Sequence, residues 1–514
     1  MFSMKESIKT LPFFLMTTFA CYLFYRILKE LSRFYKKFQC VEKIPGPKIE
    51  SLIFGHSSEV FCEIKDRVAL ISKRCKEYDG IFRVWRGWQP IVTISKAEYA
   101  EIYFTSKNLD HKSENFIKSI QDWLGQSLLL INGQEWQQRR KLLTPAFHFS
   151  ILNTMCETLV QKGDKLVETI KKLPEDSPIN VYDMMYLVAL DGICESAMGI
   201  EINALEDSKL DYIKAIEDIS NLAIKRTLQP WTQSDLYLHT AQGRRYKEVL
   251  KTICDLTDTA IQNKKQERSR KGRGNNNHEK NREQSAGRKK IAFLDLLLDA
   301  QESKEANISD KILQDEVNTF MFAGHEAVAS SMSFTIHLLG KHPEIQERCY
   351  QELEDIFQGS CRGPTMDDLR SMKYLEQVIK ESLRLFPSAP IISRKVLADT
   401  QFEGCIVPAG STVTIPIYCL HRDPKYFPDP EKFDPDRFNS ENAGLRHPYA
   451  YVPFAAGGRN CIGQKYAIME EKILLSNLIR NFTMESMDKT EDLRLTFAMV
   501  LRSLNGINIK FKFR

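Results

Sequence analysis

The stretch Pro453 to Ala467, PFAAGGRNCIGQKYA, sets Cys461 among Gly457, Gly458 and Gly463. A cysteine thiolate can occupy an axial position on iron, provided the backbone lets the sulfur reach the metal and nearby N–H groups hydrogen-bond to it. Glycines allow such a tight, open turn. Helical spacing over Gln464 to Arg480 predicts a helix that begins just after the cysteine, and its positive end favours the thiolate. Taken alone, a glycine-flanked cysteine is also a common structural residue. The other eleven cysteines lie far apart, with no C-x-x-C pair, unlike a disulfide framework or a zinc site. They are expected to be reduced and mostly buried as small hydrophobes.

Two helices would have to position such a centre. Ser309 caps a proline-free helix predicted from Asp310 to about Leu339, which ends at Gly340 ahead of Pro343. In its middle stand Ala323 and Gly324. A mid-helix glycine costs about 1 kcal/mol relative to alanine, so these small residues point to something bulky against the helix or to a tight contact with another helix. Glu381 and Arg384 lie three apart on EQVIKESLRLF, hence on one helix face, a spacing usually found in solvated surface pairs. After Pro416 the chain turns proline-rich and irregular until Gln464.

With 514 residues and 43% hydrophobic composition the chain can bury a large core, and length alone suggests about three domains. Net charge is +5, but residues 263–290 hold eleven Lys and Arg against three Glu, so the remainder is slightly acidic. That segment is low in complexity and is expected to be a disordered basic loop; nothing points to a nucleic-acid partner. Ile81 to Ser95 is predicted to form a hairpin broken at Arg86-Gly87, and helical periodicity dominates from Ile117 to about Asp258. Leu11 to Tyr25 is strongly apolar, is cut by Arg26, and on reaching Leu28 has about the length of a membrane span. A cleaved signal peptide would need a small-x-small site, which does not follow. Arg26, Lys29, Arg33, Lys36 and Lys37 outweigh Lys5 and Lys9, which places the body in the cytosol. The expected organisation is therefore an anchor over 1–37, a neck over 38–50 around IPGPK, and a globular body over 51–514.

The string Phe454-x-x-Gly457-x-Arg459-x-Cys461-x-Gly463 resembles the heme-binding loop of the cytochrome P-450 family. Further features agree in order: the anchor, the Pro-Gly-Pro neck, Trp136-x-x-x-Arg140, Ala323-Gly324, Glu381-x-x-Arg384, Arg394, and Pro-Asp-Arg-Phe containing Arg437. The resemblance covers essentially the whole chain. It implies a fold that is mainly α with a smaller β region, preceded by one transmembrane helix, and a body that is a single heme-thiolate catalytic domain. It also implies non-covalent heme b with Cys461 as the axial iron ligand and with Phe454, Gly463, Ala323 and Gly324 against the heme. Trp136 and Arg140 resemble the pair beside a heme propionate, and Arg394 and Arg459 resemble further propionate partners. Glu381, Arg384 and Arg437 resemble a buried cluster that holds the segment carrying the cysteine loop.

The strings RKLLTPAFHFSIL, EVNTFMFAGHE and AFLDLLL resemble the animal microsomal branch that hydroxylates fatty acids near the terminal carbon. By that resemblance Phe320, Ala323, Ala389, Ile391 and Met499 line the substrate pocket. Two residues depart from the pattern. Many members of the branch carry, at Ala323, a glutamate that can form an ester to heme, which alanine cannot. The family's oxygen-activating threonine is replaced by Ala327, leaving Glu326, Ser330 or Ser331, or a substrate hydroxyl, as the expected holder of a proton-carrying water. The resulting expectation is an endoplasmic-reticulum monooxygenase acting on a lipophilic substrate. Its electrons would come from NADPH-cytochrome P-450 reductase, with cytochrome b5 as a second donor. A heme-thiolate isomerase or dehydratase acting on a hydroperoxide, and a non-catalytic heme protein, are the rival readings.

Overall fold

The structure is a computed structural model. It describes every residue except 1–3, 52–54, 57–66, 175–176, 207–209, 230–231, 233, 275–292, 304–306, 403 and 498. The central helix runs Asp310–Lys341, with the Ser309 hydroxyl accepting from the Ile312 N–H at 3.2 Å. Nearly all of its side chains from Leu313 to Leu339 are buried, and a large apolar core is built around it. It packs along the helix Val181–Ile193. There Gly324 permits the closeness, because a Cβ at that position would lie 2.7 Å from Ile193. Of the two sequence-level explanations for the small residues, the helix–helix contact accounts for Gly324.

A five-stranded sheet stands to one side of this helical body, with a smaller apolar core of its own. Its spatial order is Ile81–Arg86, Gln89–Ile94, Thr412–Pro416, Ile391–Lys395, His111–Lys112. The first two strands form the predicted hairpin, and the pair Gln89–Ile94 and Thr412–Pro416 is parallel. In the last pairing Lys112 stands opposite Arg394. The cysteine helix runs Gln464–Asn481 and packs on the helix Phe149–Lys171.

Two expectations are corrected. The N-terminal helix runs Met4–Val41, beyond the expected end at Lys37, and stops before Pro45. Among the described residues no helix is long and apolar enough to cross a membrane, so the expected transmembrane span is not seen as such. Arg26, Lys29 and Glu30 interrupt the apolar run, although Phe19, Phe24, Tyr25 and Ile27 are all exposed. The basic segment is not a loop from residue 263, since the helix Ala241–Gly274 continues through its first part. Its cations are met by acids on neighbouring elements, Lys265 by Asp310 at 2.7 Å and Arg268 by Asp299 at 2.5 Å. Residues 275–290 of that expected loop lie outside the described residues.

Candidate functional site

The cysteine loop is built from backbone constraints. The Cys461 N–H donates to the Phe454 carbonyl at 2.9 Å, and the intervening turn uses positive φ at Ala455 (58°) and Gly457 (69°). A side chain at Gly457 would collide with the Phe104 carbonyl, so only glycine satisfies both the dihedral and the space. A Cβ at Gly463 would sit 4.0 Å from Cys461 Sγ, an ordinary van der Waals contact. The Gly463 N–H donates to the Cys461 sulfur, and Arg140 also favours the thiolate. Burial outweighs both and pushes the free thiol up. Cys461 nevertheless keeps accessible surface although it lies deep in the fold, so that surface belongs to an internal space.

The central helix opens onto such a space too. From Asp315 to Leu339 its residues are buried except for exposed Ala323 and half-buried Gly324 and Ala327. Phe147 links the two walls. Its ring would lie 3.9 Å from a Cβ at Gly463, and it stacks on Phe320 with centroids 5.9 Å apart. Phe320 is buried in that stack, with Phe293 a further 4.1 Å centroid contact. Ala389 is exposed and Ile391 and Met499 are half-buried. They adjoin Ala327 through Ser388, whose hydroxyl donates to the Ala327 carbonyl at 2.8 Å.

Cations gather at another side. Arg140 donates to the carbonyl and side-chain oxygens of Asn460 at 2.8 and 2.9 Å, immediately before the cysteine. Arg459 lies 4.0 Å over the Trp136 ring and donates to Ile131 O at 2.9 Å and Asn132 Oδ1 at 3.0 Å. Its Nε is buried and lies 3.6 Å from Asp110, too far for a hydrogen bond. Arg394 donates to Leu109 O at 2.8 Å and lies over the Tyr103 ring. Lys112 was missed by sequence reasoning. Burial, then Arg394 and Arg459, push its ammonium down to about 7. Among the described residues Asp110 is the acid beside Arg459 and Lys112, and with buried Arg394 and Arg459 this leaves an excess of positive charge that suits two further carboxylates. A sulfur ligand, a shallow alanine wall and cations for two propionates fit heme b.

Glu381 and Arg384 are fully buried and bidentate, at 2.7 and 2.8 Å. Glu381 also accepts from the Asp434 N–H at 3.0 Å and lies 3.4 Å from Arg437. Arg384 donates to the carbonyls of His421, Pro430 and Lys432. The pair therefore gathers the irregular chain ahead of the cysteine loop.

Glu326 does not join Ala327. Its carboxylate is buried, ion-paired with Arg502 and bonded by the Tyr182 hydroxyl at 3.0 Å. Burial raises its acid form against the pull of Arg502. Ser330 donates to Leu501 O at 2.7 Å, and Ser331 faces Glu471. Glu326 and Ser330 are thus committed elsewhere, and Glu326, the sequence neighbour of Ala327, diverges from it by about 100° around the helix, whereas the buried Ser331 hydroxyl stays on the Ala327 side without a hydrogen-bond partner.

The family model for cytochrome P450 matches residues 45–511. Cytochrome P450 4V2 of Homo sapiens is 38% identical over 497 residues, covering 95% of this chain and 93% of the relative. The same protein of Mus musculus is 41% identical over 441 residues, covering 84% and 82%. Cytochrome P450 4c3 of Drosophila melanogaster is 39% identical over 480 residues, covering 91% and 89%.

Proposed function

Because the chain belongs to the cytochrome P450 family, and is a monooxygenase that binds heme b non-covalently through a cysteine thiolate, we propose that Cys461 is that thiolate and that the substrate is a lipid. The observation that carries this reading is the accessible surface kept by Cys461 and by Ala323 of the central helix, whose two elements Phe147 joins by lying beside Gly463 and stacking on Phe320. Heme b supplies reductive activation of O2 and transfer of one oxygen atom to a C–H bond. Arg140, Arg394, Arg459 and Lys112 hold the propionates. The Gly463 N–H and the start of the cysteine helix favour the thiolate form that binding to iron would fix. Ala323 carries no carboxyl, which accords with a heme held without an ester.

Ala323, Ala389, Ile391 and Met499 present an apolar lining to the substrate, which suits a fatty acyl chain better than a charged molecule. Electrons come from NADPH through cytochrome P450 reductase, with cytochrome b5 as a second donor. The exposed apolar residues of the N-terminal helix, including Phe19, Phe24 and Ile27, hold the enzyme on the cytosolic side of the endoplasmic reticulum membrane.

Reconstituting the heme-loaded protein with reductase and NADPH, offering fatty acids, sterols and xenobiotics, and identifying products by mass tests the reading. Hydroxylated fatty acids are expected. The missing hydroxyl at Ala327 favours one second reading, an isomerase of lipid hydroperoxides, which needs no proton delivery. Rapid rearrangement of hydroperoxides without NADPH, together with no reductase-dependent product, would establish it instead.

A further inference from the structure

Cys75 stands in the last turn of the helix Arg67–Glu77, which packs against the short helix Ile417–Leu420 carrying Cys419. Cys419 Sγ lies 3.6 Å from Ser72 Oγ, and Cys75 follows Ser72 one turn later on the same face. Each thiol is the neighbour that acts most strongly on the other across this packed pair of helices. Cys75 is buried, whereas Cys419 is half-buried and within reach of a small solute. Cys75 pulls the Cys419 thiol down, and Ser72, Arg422 and Lys76 act in the same direction; Cys75 is pushed far up. Neither thiol takes part in the site around Cys461.

We propose that Cys75 and Cys419 are a peroxide-sensitive thiol pair that closes to a reversible disulfide, clipping the helix Arg67–Glu77 to the segment that leads into the Arg384 cluster. The Cys419 thiolate attacks one oxygen of hydrogen peroxide, giving a sulfenic acid and, with one proton, water. The Cys75 sulfur then attacks the Cys419 sulfur, the S–O bond breaks, and a second water leaves. In total the two thiols lose two electrons and two protons, and one peroxide becomes two waters. A thiol reductant reverses the reaction, so in a reducing compartment the pair rests open. The clip acts on the site's support, because the carbonyl of His421, next to this helix, accepts from Arg384 at 3.1 Å. The helix Arg67–Glu77 also packs on the strand Leu495–Phe497, close to Met499.

Full-length holoprotein, reduced and then dosed with hydrogen peroxide, is alkylated, digested without reductant and examined by mass spectrometry. A Cys75–Cys419 linked peptide is expected, appearing with peroxide dose, lost on adding dithiothreitol, and accompanied by a rise in Tm of several degrees. In Cys75→Ser the Cys419 sulfur should instead be captured by dimedone as a sulfenic acid, with the heme spectrum unchanged before oxidation. Both cysteines alkylated as free thiols after the full dose would overturn the proposal, as would Cys419 driven to sulfinic acid in the natural protein with no linked peptide.

Discussion

The hydroxyl of Ser388 donates to the backbone carbonyl of Ala327 across 2.8 Å, and the Ser388 carbonyl in turn accepts from the Leu501 N–H at 2.9 Å. The central helix, the loop carrying Ala389 and the C-terminal hairpin are thus stitched together at the position where the family's hydroxyl is absent. Ser388 serves the backbone, Ser330 serves Leu501 and Glu326 serves Arg502. Proton delivery with a simple alkyl substrate should therefore rest on loosely held water. Much of the NADPH consumed should end as hydrogen peroxide, and Ala327→Thr should lower peroxide per NADPH several-fold. Peroxide and product measured against NADPH for both forms check this, and equal ratios would show that Ala327 imposes no handicap.

Removal of the Glu381 carboxylate strands a fully buried Arg384. Glu381→Ala should cost about 3 to 5 kcal/mol, the range seen when one partner of a buried ion pair is deleted. Heme and folded protein should be lost together, because the same arginine holds the carbonyls of His421, Pro430 and Lys432. Heme content and chemical denaturation of the variant are the readouts. Normal values for both would place the pair outside the support of the cysteine loop.

The end of the N-terminal helix is part of the globule. Phe34 packs on Trp85 and Trp88 at centroid distances of 5.9 and 5.2 Å, and Phe38 packs on Trp85 at 5.2 Å. Deleting residues 1–25 should release most of the protein from membranes and leave its Tm unchanged, whereas deleting residues 1–41 should lower Tm by uncovering Trp85. Sedimentation with membranes and thermal melts of the two truncations separate anchoring from packing.

Glu471 is buried on the cysteine helix, with Oε2 lacking a hydrogen-bond partner, and burial pushes its carboxyl from 4.5 to about 8. The folded protein then holds a proton that the unfolded chain has released between those two values. Stability should fall as pH rises through that window, by about 1.4 kcal/mol per pH unit from this group. Glu471→Gln keeps the neutral shape and should flatten the slope. Urea denaturation at a series of pH values measures it, and an unaltered slope in the variant would mean that Glu471 is already ionised in the fold.

What could be read without the fold was whatever depends on local spacing. The central helix was placed to within two residues of its end, with Ser309 as its cap, and the cysteine helix to within one. Long-range pairing was not legible. Lys112 stands beside Arg394 only because a two-residue strand, His111–Lys112, adds to the sheet edge, and two residues carry no periodicity. Glu326 adjoins Ala327 in sequence yet faces Tyr182 and Arg502, and adjacency along a helix conceals that divergence. Gly324 marked a close approach correctly, but only the fold shows that Ile193 makes it. The basic segment had the composition of a disordered loop, and its first part is helical because Asp299, Glu302 and Asp310 stand opposite.

The central claim is that Cys461 is the iron ligand. Its most direct test is the carbonyl-complex spectrum of reduced Cys461→Ser, since the red-shifted band from which the family takes its name would depend on thiolate ligation by Cys461. The account predicts that this band disappears while far-UV circular dichroism shows the helices intact. Persistence of the band in Cys461→Ser would mean that another cysteine holds the iron and would contradict the assignment.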